Sequence, residues 1–495
     1  MAHHGVTPRE IIPPRSQYSN SGRFGRLFGE LPPFAADTPD VRAALLEIGK
    51  PGGIMDAKDD LTKSPQELIT NPALSAKNSD NPKLTAGFTF LGQFLDHDMT
   101  FDPTSTLERQ ADPEQVANFR TPSLGLDNVY GAGPTGSPHL YDTQGGKGSK
   151  FLLEPIGTPG KFDLPRNSQN VALIGDPRDD ENMLIAQLQV AFLSFHNAVV
   201  EHVKTKIRLT VSDDIFAEAQ RIVRWHYQWI IINEFLRHTC GDAVVNEVLK
   251  TGRKFYTWRN EPFIPVEFSV GAYRFGHSQV RPSYRANFTG NPGGQPFFAM
   301  IFQPTPSDPR DPNDLSGGCR APRRFVDWPT FFDFSDGNVK FNKKIDTTLS
   351  TALFRLPGSV VPNPDAKTNP SSLAQRNLLR HLTFSLPSGQ RIAKTMKLDQ
   401  LSSGDLSDLK PYGLDDRTPL WFYVLREAQV MANGEQLGPV GGRIVTEVFL
   451  GLLQGDKSSW LSQDPEWRPF LPTIDASKKG KDFRMIDLLR FAGVA

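Results

Sequence analysis

The sequence predicts a mainly α-helical protein, one large domain with long loops and little β-structure. Two long segments, 180–206 and 212–238, carry apolar residues at helical spacing, whereas the alternating patterns typical of strands are scarce. Pro and Gly number 41 each, so much of the chain must form loops and turns. A length of 495 residues fits one large decorated domain, which we divide into an irregular N-terminal arm over 1–60 and a main domain over 61–495.

Apolar periodicity and end signals place the other elements in chain order. Ser212 is a good N-cap, and Asp213 with Asp214 gives the helix over 212–238 an acidic first turn. Loops and turns are predicted over 103–176 and 286–324, where Gly and Pro cluster. The remaining helices are predicted near 40–49 and over 84–98, 371–385, 417–433 and 437–455.

The composition excludes some classes of partner and site. Lys plus Arg and Asp plus Glu both number 55, so no net charge favours binding to nucleic acid or to an anionic membrane. No apolar run approaches the roughly 18–20 residues of a membrane span. The N-terminus lacks the apolar core of a secretory signal, so we expect a cytoplasmic protein or one exported without a conventional signal peptide. Cys240 and Cys319 lack zinc-ligand spacing, and a single bridge between them stays open.

The most informative segment is 92–98, Gly-Gln-Phe-Leu-Asp-His-Asp. Gln93, Asp96 and His97 stand at i, i+3 and i+4, so on a helix they share roughly one face. The flanks are strongly apolar, and polar acid–base groups in such a helix are costly unless a partner satisfies them. A buried cofactor would be such a partner, although a lone His beside an Asp is more often structural.

Three further segments hold polar residues where a core is expected: 175–181, Gly-Asp-Pro-Arg-Asp-Asp-Glu; 273–278, Tyr-Arg-Phe-Gly-His-Ser; and 385–390, Ser-Leu-Pro-Ser-Gly-Gln. Singly, each is compatible with a loop, a turn or a helix cap. In this order, the four segments resemble the animal-type haem peroxidases of the peroxidase–cyclooxygenase superfamily, over most of the chain from about residue 84 to about residue 455. Bacterial members of the family are known, and the chain looks like one.

The resemblance implies a haem b peroxidase whose catalytic domain covers 61–495 and whose substrates are hydrogen peroxide and a small-molecule electron donor. His97 resembles the distal histidine, the acid–base that moves a proton between the two peroxide oxygens. Gln93 looks like the distal glutamine that orients water or a halide. Arg178 looks like the distal arginine, whose charge stabilises the leaving hydroxide.

The resemblance also assigns the proximal side of the haem. His277 resembles the residue that binds the iron. Gln390 stands where the family usually has an asparagine that accepts the other ring N–H of that histidine, which would fix its tautomer. Arg274 looks like the arginine that pairs with a haem propionate.

Two carboxylates, Asp96 and Glu181, match the family residues that form ester bonds to haem methyl groups, so the resemblance implies covalently linked haem. The family's strongest chloride oxidisers carry a Met directly after that Glu and form a sulfonium link. Here Asn182 follows Glu181, and Met183 comes one place later. We therefore expect no sulfonium link and a weaker oxidant, suited to bromide, iodide, thiocyanate or phenols rather than chloride.

The family also binds calcium beside the distal helix. Asp98 matches the ligand that follows the distal histidine, and Thr121, Ser123 and Asp127 match ligand positions in the companion loop. Gly125 falls where the family usually has an Asp. Calcium prefers six to eight oxygen ligands and benefits from carboxylate charge, so the missing Asp weakens the expected site unless a water fills the gap.

Two rival functions stay open. Fatty-acid oxygenases on the same fold use a tyrosyl radical three residues before the proximal histidine, a position that Arg274 holds here while Tyr273 lies one place away. A haem-binding protein without turnover would have lost its distal residues, whereas Gln93, His97 and Arg178 are all present. Both comparisons favour the peroxidase.

Overall fold

The computed structural model describes residues 22–102, 110–145, 148–258, 260–303, 308–358 and 360–495. Helix accounts for 44% and strand for 10% of the protein, which confirms a mainly α architecture with little β-structure. The helices within these ranges are α1 Pro39–Ile48, α2 Pro65–Thr70, α3 Gly87–Met99, α4 Asp127–Tyr130, α5 Gly133–Gly136, α6 Met183–His202, α7 Ser212–Ile230, α8 Leu236–Cys240, α9 Asp242–Thr251, α10 Leu373–Thr383, α11 Gly389–Met396, α12 Leu420–Met431, α13 Pro439–Gly455, α14 Trp460–Gln463 and α15 Met485–Phe491. The strands are β1 Phe24–Gly25, β2 Asp80–Thr85, β3 Glu154–Pro155, β4 Phe162–Asp163, β5 Ile264–Pro265, β6 Ser283–Asn291, β7 Gln295–Met300 and β8 Phe341–Lys343, and they pair as β1–β5, β2–β8, β3–β4 and β6–β7.

The long predicted helices are confirmed, with small differences at their ends. α6 begins where the side chain of Asn182 accepts a hydrogen bond from the backbone N–H of Leu184 (3.1 Å), and it continues through a π-helical turn over Val203–Ile207. A second π-helical turn over Ile231–Phe235 joins α7 to α8, so the helix predicted over 212–238 is continuous. The helices α1, α3, α10, α12 and α13 correspond to the other predictions.

Two segments differ from their prediction. Residues 84 and 85 belong to strand β2, which pairs with β8, and α3 begins only at Gly87. Here the chain packs so closely on Phe332 that a Cβ at Gly87 would lie 2.5 Å from its ring. The segment 286–324 is not made of turns alone, because it contains most of the antiparallel hairpin formed by β6 and β7.

Helix α6 is the apolar helix on which the site region is built. The stretch Met183–Ile207 is long and apolar enough to cross a membrane, but 89% of its apolar window is buried inside the protein, as in a core helix. The ring of Phe192 stacks on Phe94 of α3 with centroids 4.7 Å apart, and it meets Tyr227 of α7 edge-on at 5.6 Å. These contacts fix the position of α3 relative to α6 and α7.

The two cysteines form no disulfide. Both Cys240 and Cys319 are buried free thiols. Burial raises the pKa of the Cys240 thiol to about 12, so this residue behaves as an apolar core side chain rather than as a nucleophile.

Candidate active site

A cavity of about 320 Å³ is lined by α3 and by a 3-10-helical segment over Ala272–Gln279. Its volume falls within the roughly 300–1,000 Å³ of typical ligand pockets. Seven of the residues predicted from the sequence line it: Gln93, Asp96, His97, Arg178, Glu181, Arg274 and His277. Apolar side chains, among them Phe302, Leu353 and Leu356, complete the wall. Three of the four polar sequence segments therefore meet at one site.

His97 is held by carboxylates on two sides. Its Nδ1 lies 2.7 Å from Oδ1 of Asp179, and its Nε2 lies 3.9 Å from Oε1 of Glu181. Burial and the charge of Arg178 lower the pKa of His97, but the hydrogen bond and charge of Asp179, together with Glu181, outweigh them and raise it. The ring therefore has one nitrogen engaged by a buried carboxylate and the other directed toward the cavity wall.

Arg178 presents a fixed positive charge at the same wall. Asp176 accepts hydrogen bonds from its Nε (3.1 Å) and Nη2 (2.8 Å), and the guanidinium also donates to the carbonyl oxygens of His97 (3.2 Å) and Thr100. Its flat face lies 4.7 Å from the ring centroid of Phe101. Although burial alone would raise it, the pKa of the Asp176 carboxyl is held well below its usual range by Arg178, so the pair stays charged.

Gln93, Glu181 and Asn182 form a short chain of polar contacts beside His97. Gln93 donates from Nε2 to Oε1 of Glu181, and Nδ2 of Asn182 lies 3.4 Å from Oε1 of Gln93. Burial raises the pKa of Glu181. The side-chain oxygen of Asn182 caps α6 by accepting hydrogen bonds from the N–H groups of Leu184 and Ile185. Met183 is buried and is absent from the described wall of the cavity.

Asp96 lies one helical turn from Gln93 on the same wall. Its Oδ1 accepts a hydrogen bond from Oγ1 of Thr100 (3.1 Å), and the rest of the carboxylate faces the cavity. Asp96 and Glu181 therefore reach the cavity from two different elements, α3 and the turn before α6.

His277 stands in the 3-10-helical segment with its Nδ1 2.7 Å from the side-chain amide of Asn377. Burial, followed by the charge of Arg274, lowers the pKa of His277 to about 3, so the ring is neutral at ordinary pH. The amide atom nearest Nδ1 is Nδ2 of Asn377. A neutral imidazole that binds a metal through Nε2 carries its hydrogen on Nδ1, and a half-turn of the Asn377 amide presents the oxygen that accepts it.

The prediction that Gln390 accepts the ring N–H of His277 is wrong. Gln390 belongs to α11, where its Nε2 donates to the carbonyl oxygen of Asp415 (2.9 Å) and to Oγ1 of Thr418 (2.9 Å). Its amide is thus used to hold the loop before α12. The residue that sequence reasoning missed is Asn377 of α10, and its signal is a buried amide on the apolar side of an amphipathic helix.

Arg274 provides an observation that fits a haem in the cavity. Its Nε donates to the carbonyl oxygen of Ser269 (3.0 Å), and it forms no salt bridge within the described residues. Burial and the charge of Arg274 lower the pKa of Arg380 to about 10, although Asp102 lies 3.7 Å from Arg380. Arg274 lines the cavity without a carboxylate partner among the described residues, and a haem propionate would supply one.

Two of the predicted calcium ligands, Asp98 of α3 and Asp127 of α4, contact each other. Asp98 accepts hydrogen bonds from the backbone N–H groups of Leu126 (3.0 Å) and Asp127 (2.7 Å) and from the hydroxyl of Tyr227 (3.0 Å). Burial, followed by the charge of Asp127, raises the pKa of Asp98 to about 7. Two buried carboxylates that repel each other are stabilised by a cation.

The companion loop leaves one carboxylate oxygen without a partner. Oδ2 of Asp127 is buried and accepts no hydrogen bond, which fits a cation site. A Cβ at Gly125 would lie 3.2 Å from Oγ of Ser123 and 3.5 Å from Oδ1 of Asp127, so an Asp there would reach the same spot. At Thr121 the carbonyl oxygen accepts the N–H of Ser123 (2.7 Å). The described residues contain no cluster of three His, Cys, Asp or Glu able to hold a metal, so any cation here would rely on hydroxyl, carbonyl and water oxygens.

Comparison with known proteins finds similarity to peroxidases. A family model described as animal haem peroxidase matches residues 108–305. A peroxidase-like protein of Margaritifera margaritifera is 23% identical over 60% of this chain and 45% of its own, and thyroid peroxidase of Sus scrofa is 25% identical over 39% and 23%. The chain thus spans less than half the length of these curated relatives. Neither is bacterial, and the expectation of a bacterial-type member is not borne out.

Solved structures share the fold. Peroxidase A from Dictyostelium discoideum matches with a TM-score of 0.59 and 15% identity, covering 95% of this chain and 93% of its own. A fatty acid α-dioxygenase of Oryza sativa matches with a TM-score of 0.55 and 15% identity, covering 86% and 77%. At such identities the likeness concerns the fold alone. Residues 108–305 are therefore similar to the animal haem peroxidases, and the chain shares the fold of peroxidase A from Dictyostelium discoideum.

Proposed function

We propose that the protein is a haem peroxidase, an oxidoreductase that reduces hydrogen peroxide with electrons from a halide, thiocyanate or a phenol. The observation that carries the proposal is the pairing of His97 and Arg178 in a cavity that also exposes His277. Haem, when bound there, supplies the two electrons that cleave the O–O bond. In balance, one peroxide and two phenols give two waters and two phenoxyl radicals.

The distal residues have separate roles in proton transfer and charge stabilisation. His97 takes a proton from one peroxide oxygen through Nε2 and returns it to the other, which leaves as water. The fixed charge of Arg178 stabilises the negative charge that develops on the leaving oxygen. Gln93 lines the same space, and the amide hydrogen that it does not donate to Glu181 would orient a water or a halide.

The proximal residues hold the cofactor. His277, kept neutral by burial, would bind the iron through Nε2 while Asn377 holds Nδ1. Arg274, which lines the cavity, would pair with a haem propionate. Ligand basicity is set by the partner of Nδ1, so Asn377 tunes the iron without touching it.

We further propose that Asp96 and Glu181 form ester links to the haem. Both carboxylates line the cavity, and each comes from a different element. Asn182 is committed to capping α6 and Met183 is turned into the core, which supports the absence of a sulfonium link. The oxidant is therefore suited to bromide, iodide, thiocyanate or phenols rather than chloride.

Calcium behind α3 is the third element of the proposal. Its support is the unpartnered Oδ2 of Asp127 beside the carboxylate of Asp98. Elemental analysis of dialysed protein should find about one calcium per chain, and Asp127→Asn should lose it. Gly125→Asp, which adds a carboxylate next to Asp127, should slow the release of calcium to a chelator. Dialysed wild-type protein that holds no calcium would contradict this part.

The central test is peroxide turnover by the haem-loaded protein with iodide or guaiacol as donor. His97→Ala should lower the rate of reaction with peroxide by about 100- to 10,000-fold, the usual contribution of a general acid–base. His139→Ala, which changes an exposed histidine, is the matched control and should react like the wild type. A haem-loaded wild type that fails to consume peroxide would instead identify a haem-binding protein without turnover.

A fatty-acid dioxygenase is the second candidate, favoured by the fold it shares with the rice enzyme. Tyr273 lines the cavity, but its hydroxyl donates to the carbonyl oxygen of Gly92 (3.0 Å) and its ring stacks on Phe268 at 4.7 Å. This fixed tyrosine is one place from the position that the resemblance assigns to the radical residue. Oxygen uptake with peroxide-free linoleate or palmitate would favour the dioxygenase over the peroxidase.

A further inference from the structure

We propose that Asp179 is a positioning residue for His97: its carboxylate fixes the ring tautomer and stabilises the ring while it carries the peroxide proton. This inference rests on the proposed function, because it assigns a role within the same reaction. The evidence for it is geometric and comes from residues that the resemblance left without a role.

Both oxygens of Asp179 are engaged, one on each side. Oδ1 lies 2.7 Å from Nδ1 of His97, and Oδ2 accepts a hydrogen bond from Nδ2 of Asn128 (2.9 Å). Asp179 is fully buried, so no bulk water competes for these contacts. An ionised carboxylate only accepts hydrogen bonds, so Nδ1 of His97 carries a hydrogen, and when the ring is neutral its lone pair lies on Nε2.

The short turn over Pro177–Asp180 directs neighbouring side chains toward different partners. Arg178 reaches the cavity wall, Asp179 reaches behind the ring of His97, and Asp180 binds Arg166 through two hydrogen bonds of 2.6 and 2.8 Å. The turn itself is closed by a backbone hydrogen bond from the N–H of Asp179 to the carbonyl oxygen of Asp176 (3.0 Å). The carboxylate of Asp179 behind the His97 ring and the guanidinium of Arg178 beside it therefore belong to the same hydrogen-bonded turn.

Asn128 anchors the far side of the carboxylate. It belongs to α4, and its backbone carbonyl accepts a hydrogen bond from Nε2 of Gln189 on α6 (3.2 Å). The chain Asn128–Asp179–His97 therefore links the loop behind α3 to the ring that faces the cavity. Removing the contact between Asn128 and Asp179, or the one between Gln189 and Asn128, should let the Asp179 carboxylate turn and weaken its hydrogen bond to Nδ1 of His97.

The functional consequence is a stronger and better-oriented base. When Nε2 of His97 accepts a proton, the ring becomes a cation, and a carboxylate at Nδ1 stabilises it more than a neutral acceptor would. Hydrogen cyanide tests this without peroxide, because it binds ferric haem as cyanide only after a distal base removes its proton. Carbon monoxide binds ferrous haem without any proton transfer and reports steric changes alone.

The experiment compares the two ligands on haem-loaded wild type, Asp179→Ala and Asp179→Asn. The second-order rate of cyanide binding should fall by about 10- to 100-fold in Asp179→Ala, as for other residues that orient a functional histidine. In Asp179→Asn the amide must direct its NH2 toward either His97 or Asn128, both donors, so the rate should also fall. Carbon monoxide binding should stay within about two-fold of wild type.

Asp180→Asn is the matched control, because it removes a carboxylate from the same turn without contacting His97. It should bind cyanide at the wild-type rate. Unchanged cyanide binding in both Asp179 variants would overturn the proposal, and so would an equal loss of cyanide and carbon monoxide binding, which indicates a structural role only. If the wild type fails to turn over peroxide while the cyanide difference persists, the proposed function falls and the positioning role stands.

Discussion

The side-chain amide of Asn377 lies 2.7 Å from Nδ1 of His277, although the two residues are 100 positions apart in the chain. Helix α10 brings the amide there, and His381, one turn later, fixes it: its Nδ1 lies 2.9 Å from the backbone carbonyl oxygen of Asn377. The other ring nitrogen of His381 accepts the N–H of Trp421 (2.9 Å). His277 is therefore held by an amide whose backbone is itself bound by a second, buried histidine.

This contact leads to the first prediction, which separates Asn377 from Gln390. Asn377→Leu should weaken haem retention by about 10- to 100-fold and shift the ferric Soret band, because the ring of His277 loses the partner of its Nδ1. Gln390→Leu, whose amide only ties a loop before α12, should leave the Soret position unchanged. Spectra and haem titrations of both variants are the measurement, and the opposite ranking would restore the original assignment of Gln390.

The second prediction concerns the two ester links. In acidified organic solvent the haem should stay on the wild-type polypeptide, and it should also stay on Asp96→Asn and Glu181→Gln, each of which retains one carboxylate. The double variant should release it completely, because no carboxylate near the haem edge remains. Chromatography with detection at the Soret wavelength gives the answer, before and after peroxide treatment. Clean extraction from the peroxide-treated wild type would exclude the links.

Replacement of Arg178 gives the third prediction. Arg178→Lys should slow the reaction with peroxide by about 100- to 1,000-fold, since a lysine cannot reproduce the two contacts to Asp176 that hold the charge in place. Arg120→Lys is the control: Arg120 shares Asp176 (2.9 Å) but does not line the described cavity. In stopped-flow measurements, Arg120→Lys should react with peroxide at nearly the wild-type rate. Equal losses in both variants would assign the effect to Asp176 rather than to the charge at the cavity.

The fourth prediction concerns stability in acid. Burial lowers the pKa of His226 to about 3, whereas an unfolded histidine titrates near 6.5. The unfolded chain therefore binds the extra proton first, so the stability that this residue provides is complete above about pH 6.5 and is lost as the pH falls, by about 1.4 kcal/mol per pH unit.

His226→Phe removes this titration while keeping a ring in the aromatic cluster around Trp467 and Phe483. The free energy of unfolding, measured with urea between pH 7 and pH 4.5, should then depend less steeply on pH than in the wild type. His139→Phe changes an exposed histidine and should leave the slope as it is. An unchanged slope in His226→Phe would show that the buried ring is already protonated in the folded protein.

Much of the helical framework could be predicted because its signals are local. The apolar period of α6 and α7, the cap at Asn182 and the acidic first turn of α7 all lie within a few residues of the element that they define. The predicted cap at Ser212 is wrong, because Ser212 is the first helical residue and Val211 precedes it without a side-chain hydrogen bond. At Gly87, by contrast, such local signals do not determine where the helix begins. Residues 84 and 85 belong to β2, where Thr85 pairs with Phe341 of β8, a residue distant in sequence, and so the boundary before α3 could not be read from the pattern.

By itself, the sequence determined that Gln93, Asp96 and His97 share one helix face, because the helical repeat fixes neighbours at i, i+3 and i+4. The tertiary structure alone decided which partners meet that face. Asp179 behind His97 and Asn377 beside His277 come from segments 82 and 100 positions away, and only the packing of the helices around the cavity brings them within hydrogen-bonding distance. Hydrogen bonds act over about 3 Å and carry no sequence period, so such partners become visible only when the chain is folded.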